Sequence, residues 1–80
     1  MIRIYTRCWC EDSAEAKKFL EQRHVPFEEI DIEKDPKACE FVMSVNEGKQ
    51  RTPTFEIDGR TFHCSPFDER KLARELKLER

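Results

Sequence analysis

Asp58-Gly59 constrains the fold of this chain more than any other local feature. A two-residue Asp-Gly connection between β-prone segments demands an antiparallel hairpin, because these residues tolerate the positive φ of the tight turns that match strand twist. Thr54–Ile57 and residues 60–64 are therefore predicted neighbours in one sheet, with Pro53 opening the first of them. Upstream, residues 1–6 alternate Ile2 and Ile4 with Arg3 and Tyr5, and residues 27–32 place Ile30 and Ile32 on one face with Glu29 and Asp31 on the other. The polar face of the second segment suggests a sheet edge. A helical pattern separates the two strands, and a strand–helix–strand unit demands parallel pairing with a right-handed crossover. The smallest layout that satisfies both demands is a four-stranded mixed sheet with helices on its two faces.

The helices are read from apolar spacing. Ala16, Phe19 and Leu20 fall at i, i+3 and i+4 within residues 13–23, and Pro26 interrupts the pattern. Asp35 is the expected N-cap of a second helix, with Pro36 at its first position, followed by Ala38, Phe41, Val42 and Val45 and stopped by Gly48. Ser65-Pro66 is expected to begin a last helix that turns Leu72, Ala73 and Leu76 inward. The predicted order is βαβαββα.

Eighty residues make one small domain spanning 1–80, so any function sits on a single fold. Seventeen acidic and fifteen basic residues are interspersed and leave a net charge of −2, which gives no basic footprint for nucleic acid. No run of about 18 apolar residues exists to span a membrane. Four cysteines in so short a chain suit a disulfide framework when a secretory leader precedes them. Here strand residues follow Met1 directly, so the expected compartment is the cytoplasm and the cysteines are read as catalytic, structural or metal-binding.

Cys10 carries the strongest chemical signal. It lies where the first strand gives way to the first helix, and a thiol there faces unpaired backbone N–H groups and the positive end of the helix dipole, both of which favour the thiolate. Ser13 stands three residues later, giving Cys-x-x-Ser where a dithiol protein carries a second cysteine. Glu11 and Asp12 have two readings, as first-turn acids that complement the dipole and as carboxylates that raise the Cys10 pKa. Cys8, one residue removed, either resolves Cys10 through a strained Cys-Trp-Cys disulfide or packs beneath the loop. Cys64 is a competing resolver whose default is packing, and Cys39, beside the apolar stripe of the second helix, reads as structural. Trp9 is either a partner platform or a packed aromatic. Cys8, Cys10, His63 and Cys64 are soft ligands, but without the paired Cys-x-x-Cys spacing of a zinc site no metal is expected.

With these residues in view, the chain resembles the glutaredoxin branch of the thioredoxin fold over nearly its whole length. Tyr5-Thr6, Trp9-Cys10, Ala16-Lys17 and Leu20 match the family's first strand, active-site loop and first helix. Glu40-Phe41-Val42, Val45-Asn46, Gly48 and Thr52-Pro53-Thr54 are similar to the mycoredoxin and short bacterial glutaredoxin-like subgroup. The resemblance implies a thioredoxin-like fold, a cis Pro53 lying against the catalytic sulfur, and Cys10 as nucleophile toward a mixed disulfide. It also implies a low-molecular-weight thiol such as glutathione as co-substrate, disulfide-containing proteins as partners, a monomer, and no resident cofactor. Thr52 is the implied backbone partner of the bound thiol peptide. Trp9, Arg51, Cys64 and Ser65 are the further expected substrate-side residues, Arg51 as a cation bordering the groove. The pattern departs from the family at Ser13, at Glu11-Asp12 and at His63-Cys64, which replace a second cysteine, a neutral or aromatic pair and a glycine pair. Two alternatives stand beside a monothiol enzyme: a protein-disulfide reductant fed by a flavoprotein reductase, and a non-enzymatic iron–sulfur cluster carrier.

Overall fold

The computed structural model describes residues 2–77; Met1, where the first predicted strand segment begins, lies outside them together with the last three residues of the predicted domain. Alternate side chains of a strand point to opposite faces of its sheet, and β1 (Ile2–Thr6) uses both. Ile4 enters one core with Phe55, Ala16, Phe19, Leu20 and Leu72, while Tyr5 enters the other with Ile32, Ala38 and Val42. Helices α1 (Glu11–Gln22) and α3 (Glu69–Glu75) cover the first face, and α2 (Pro36–Val45) covers the second. The remaining strands are β2 (Phe27–Asp31), β3 (Thr54–Ile57) and β4 (Arg60–His63). The sheet order is β2-β1-β3-β4, with β1 and β2 parallel and the other pairs antiparallel. This is the four-stranded mixed sheet the hairpin and crossover demanded, with the polar-faced β2 at its edge.

Local chemistry explains the boundaries. Asp35 caps α2 by accepting the Lys37 and Ala38 N–H groups at 3.1 and 3.2 Å, and Pro36 follows at the first helical position. Gly48, at φ 83°, closes the far end by donating its N–H to Met43 O at 2.7 Å. Helix α1 begins at Glu11, two residues before the predicted Ser13, because Cys10 takes the extended N-cap conformation and the two acids fill the first turn. Helix α3 begins later than predicted, at Glu69. Asp68 caps it by accepting the Lys71 N–H at 3.1 Å, a stronger signal than Ser65-Pro66. The Phe67 and Asp68 N–H groups are taken instead by Asp12 Oδ1 and Cys64 Sγ, so the chain from 64 to 68 is satisfied without being helical.

The registers decide what meets at the top of the sheet. Tyr5 lies opposite Thr54, so the chain leaving β1 passes antiparallel to the chain entering β3, and Arg7 arrives beside Thr52. Thr6 lies opposite Asp31 in the parallel pair, and continuing that register brings Cys8 to Glu33. The loop between β1 and α1 is thus flanked on one side by the Thr52-Pro53 segment and on the other by the β2–α2 connection.

Candidate active site

Cys10 occupies the N-cap of α1 with its sulfur partly exposed. A turn closed by Cys10 N–H donating to Arg7 O at 3.1 Å sets its backbone, and its S–H donates to Thr52 O at 3.5 Å. Burial pushes the Cys10 thiol up, but the Thr52 and Ser13 side chains and the Ser13 and Asp12 N–H groups all hydrogen-bond the thiolate, and their sum pulls it below the ordinary 9.0. Ser13 Oγ is buried and has no hydrogen-bond partner among the described residues, so an ionised Cys10 sulfur would offer it an acceptor. Of the two readings of Glu11 and Asp12, the structure describes the first, with both acids in the first turn of α1. Asp12 Oδ1 is turned away to accept the Phe67 N–H at 3.1 Å, and Glu11 is exposed.

Thr52 is buried and joined to Pro53 by a cis peptide bond. Arg7 Nε donates to Thr52 Oγ1 at 3.1 Å, which leaves the hydroxyl proton of Thr52 available to the Cys10 sulfur. Arg7 Nη2 also donates to Gln50 O at 2.8 Å, and its guanidinium lies 4.3 Å from the centre of the Trp9 ring. Sequence reasoning missed Arg7. Its position as the first residue after β1, directly across the antiparallel register from Thr52, was the signal available.

From below, the segment is held by Asn46, a second residue not anticipated as part of the site. Its Nδ2 donates to Val42 O at 2.8 Å and to Thr54 Oγ1 at 3.1 Å, and Thr54 Oγ1 donates to Arg51 O at 2.6 Å. The end of α2 is thereby stitched to both sides of Thr52-Pro53.

The remaining predicted site residues are distributed around this centre. Trp9 is 62% exposed, and its indole N–H donates to Glu33 Oε2 at 3.0 Å. Cys8 is exposed, with its S–H directed to Glu33 Oε1 at 3.6 Å, on the opposite flank of the loop from the Cys10 contact. Arg51 borders a hollow of about 190 Å3 with Val45, Asn46, Glu47 and His63. Cys64 is fully buried; burial pushes its thiol above 9.0, and it exchanges hydrogen bonds with the Asp68 backbone at 3.3 and 3.4 Å. Ser65, half-buried, precedes the cis Ser65–Pro66 bond. Cys39 packs against the α2-side core. Among the described residues, no three His, Cys, Asp or Glu side chains gather into a metal-binding group.

A partly exposed thiol at a helix N-cap, beside the Thr52-Pro53 backbone, can attack a sulfur presented there. Comparison with known proteins gives this geometry its context. The family model described as glutaredoxin matches residues 2–62. A Mycobacterium tuberculosis protein named as a glutaredoxin, recorded in two strains, is 38% identical over 71 residues, covering 88% of this chain and 84% of its own. The crystal structure of the thioredoxin-like protein BC3987 superposes with a TM-score of 0.77 at 31% identity, covering 92% of this chain and 97% of that one. The glutaredoxin-like NrdH-redoxin of Escherichia coli, described as having a thioredoxin-like activity profile, superposes at 0.76 with 26% identity and 91% of each chain covered.

Proposed function

Because the chain belongs to the glutaredoxin family, we propose that it is a thiol–disulfide oxidoreductase whose nucleophile is Cys10. The Cys10 thiolate attacks one sulfur of a disulfide R–S–S–R′, forming Cys10–S–S–R and releasing R′S⁻. A second thiol then attacks the mixed disulfide and regenerates Cys10. Ser13 lacks the sulfur to do this, so the resolving electrons come from a low-molecular-weight thiol such as glutathione. The observation that carries the reading is the partly exposed Cys10 sulfur at the α1 N-cap, 3.5 Å from Thr52 O and next to the cis Thr52–Pro53 bond.

In this reading Thr52 offers its backbone to an extended thiol peptide, and Pro53 keeps that edge open beside the sulfur. Trp9 supplies an exposed face for the protein that carries the disulfide. Arg51 borders the far end of the groove, with Ser65 beyond it and the buried Cys64 supporting that end from within. Substituting Arg51→Glu weakens use of glutathione, and added salt narrows the difference. No metal or resident cofactor takes part, and the working compartment is the cytoplasm, where small thiols supply the electrons.

A second reading is a protein-disulfide reductant fed by a flavoprotein reductase. Cys8 beside Cys10 and the likeness to NrdH-redoxin favour it. Turnover of the mixed disulfide between glutathione and 2-mercaptoethanol separates the two. The monothiol reading expects Cys10→Ser to fall to the uncatalysed rate while Cys8→Ser and Cys64→Ser keep activity. Retained activity in Cys10→Ser would sink both readings, and loss in Cys8→Ser favours the dithiol route.

A further inference from the structure

One carboxylate holds two side chains of the loop that carries the nucleophile. Glu33 Oε2 accepts the Trp9 indole N–H at 3.0 Å, and Glu33 Oε1 accepts the Cys8 S–H at 3.6 Å. The Glu33 backbone is itself fixed, its N–H donating to Asp31 Oδ1 at 2.9 Å. Cys10, one residue beyond Trp9, is drawn the other way, toward Thr52 O at 3.5 Å. Their separation along the chain does not by itself keep the two sulfurs apart. Two residues span at most about 7.2 Å when extended. The turn closed by Cys10 N–H on Arg7 O folds this segment more tightly, toward the roughly 4.4–6.8 Å range of disulfide-bonded Cα pairs. The two sulfurs are held on opposite flanks of the loop, Cys8 by Glu33 and Cys10 by Thr52 O.

We propose that Glu33 is a positioning residue that withholds Cys8 from the exchange, so that Cys10 works as a single thiol and its mixed disulfide waits for an outside thiol. This rests on Cys10 being the nucleophile. Without the tether, Cys8 loses its proton and its sulfur attacks the Cys10 sulfur of Cys10–S–S–R. The Cys8–Cys10 bond forms, the bond to R breaks, and R leaves as a thiolate that takes up a proton. The disulfide has moved within the system, and no external oxidant is consumed. Glu33 thereby decides between monothiol and dithiol chemistry in a chain whose Ser13 removes the more usual resolver.

The test follows the fate of a glutathione adduct. Freshly reduced protein is treated with glutathione disulfide, excess reagent is removed, and intact mass with peptide mapping is recorded over time for the parent, Glu33→Ala, Glu33→Gln and Glu33→Ala/Cys8→Ser. The parent keeps its Cys10 adduct. In Glu33→Ala the adduct gives way to a Cys8–Cys10 disulfide about tenfold faster, a factor corresponding to one hydrogen bond of ordinary net strength. Glu33→Gln, which keeps one carbonyl acceptor, falls between them, and the double variant keeps the adduct. Trp9 is the only tryptophan, so a change in its emission in Glu33→Ala reports release of the loop independently of the chemistry. Equal adduct lifetimes in the parent and Glu33→Ala overturn the inference while leaving Cys10 as nucleophile. Failure of Cys10 to take up glutathione in the parent overturns both.

Discussion

At Cys10 two effects oppose each other in one side chain. Burial favours the neutral thiol, and four donors from Thr52, Ser13 and Asp12 favour the thiolate strongly enough to win. Ser13 is the informative member, because its buried hydroxyl has no partner among the described residues. Substituting Ser13→Ala removes a donor to the thiolate but also a polar atom that the neutral thiol leaves unsatisfied. The expected outcome is a Cys10 alkylation midpoint that moves up in pH, with urea stability measured at neutral pH unchanged or slightly raised. A fall in stability with an unmoved midpoint would mean that Ser13 serves only packing. The sequence made the residue visible as Cys-x-x-Ser. Its role depended on burial, which spacing does not reveal. Glu11 and Asp12 could be read two ways for a related reason. A carboxylate two residues away in sequence acts on a sulfur only if it points there, and Asp12 points to the Phe67 N–H.

Elements deliver these residues through register. Hairpin chemistry and apolar spacing were enough to order the seven elements, because each carries its own punctuation: Asp35-Pro36, Gly48 and Asp58-Gly59. The start of α3 was misplaced because Ser65-Pro66 and Asp68 both read as helix starts, and the side chains that satisfy the intervening amides come from distant residues. Arg7 and Glu33 escaped notice because their partners lie across the fold, and Asn46 because its amide reaches Thr54 only once α2 is packed beside β3. Asn46 tests the element-level account. Substituting Asn46→Ala unties α2 from the segment before β3, leaves buried polar partners unsatisfied, and is expected to cost about 1–3 kcal/mol by urea denaturation. Because the freed segment contains Thr52, the Cys10 midpoint should rise as well. A loss of stability without a rise in the midpoint would assign Asn46 to the fold alone.

For the whole molecule, two cores on opposite faces of one sheet support a site at its end. Linked to them is a pH dependence of stability. Burial, with the Lys71 and Arg51 charges, holds His63 below the ordinary 6.5. The unfolded chain therefore takes up that proton first as pH falls, so this contribution is present above 6.5 and is lost as pH drops toward the folded value. Urea midpoints at about pH 7.5 and about pH 5.5 should differ, and His63→Gln should remove part of the difference. Glu29, whose carboxyl is lowered because the Lys17 and Thr6 hydrogen bonds outweigh its burial, titrates below 4.5, outside that window. An unchanged difference in His63→Gln would place the titrating group elsewhere.

At the centre of the mechanism, Cys10 ionises more readily than an ordinary thiol, while the buried Cys64 does the reverse. Site-resolved alkylation of the reduced protein across pH, read by peptide mapping, measures this directly. The predicted result is that Cys10 labels with a midpoint below 9.0 while Cys64 labels above it. A Cys10 midpoint at or above 9.0 would contradict the reading of this site as an activated nucleophile.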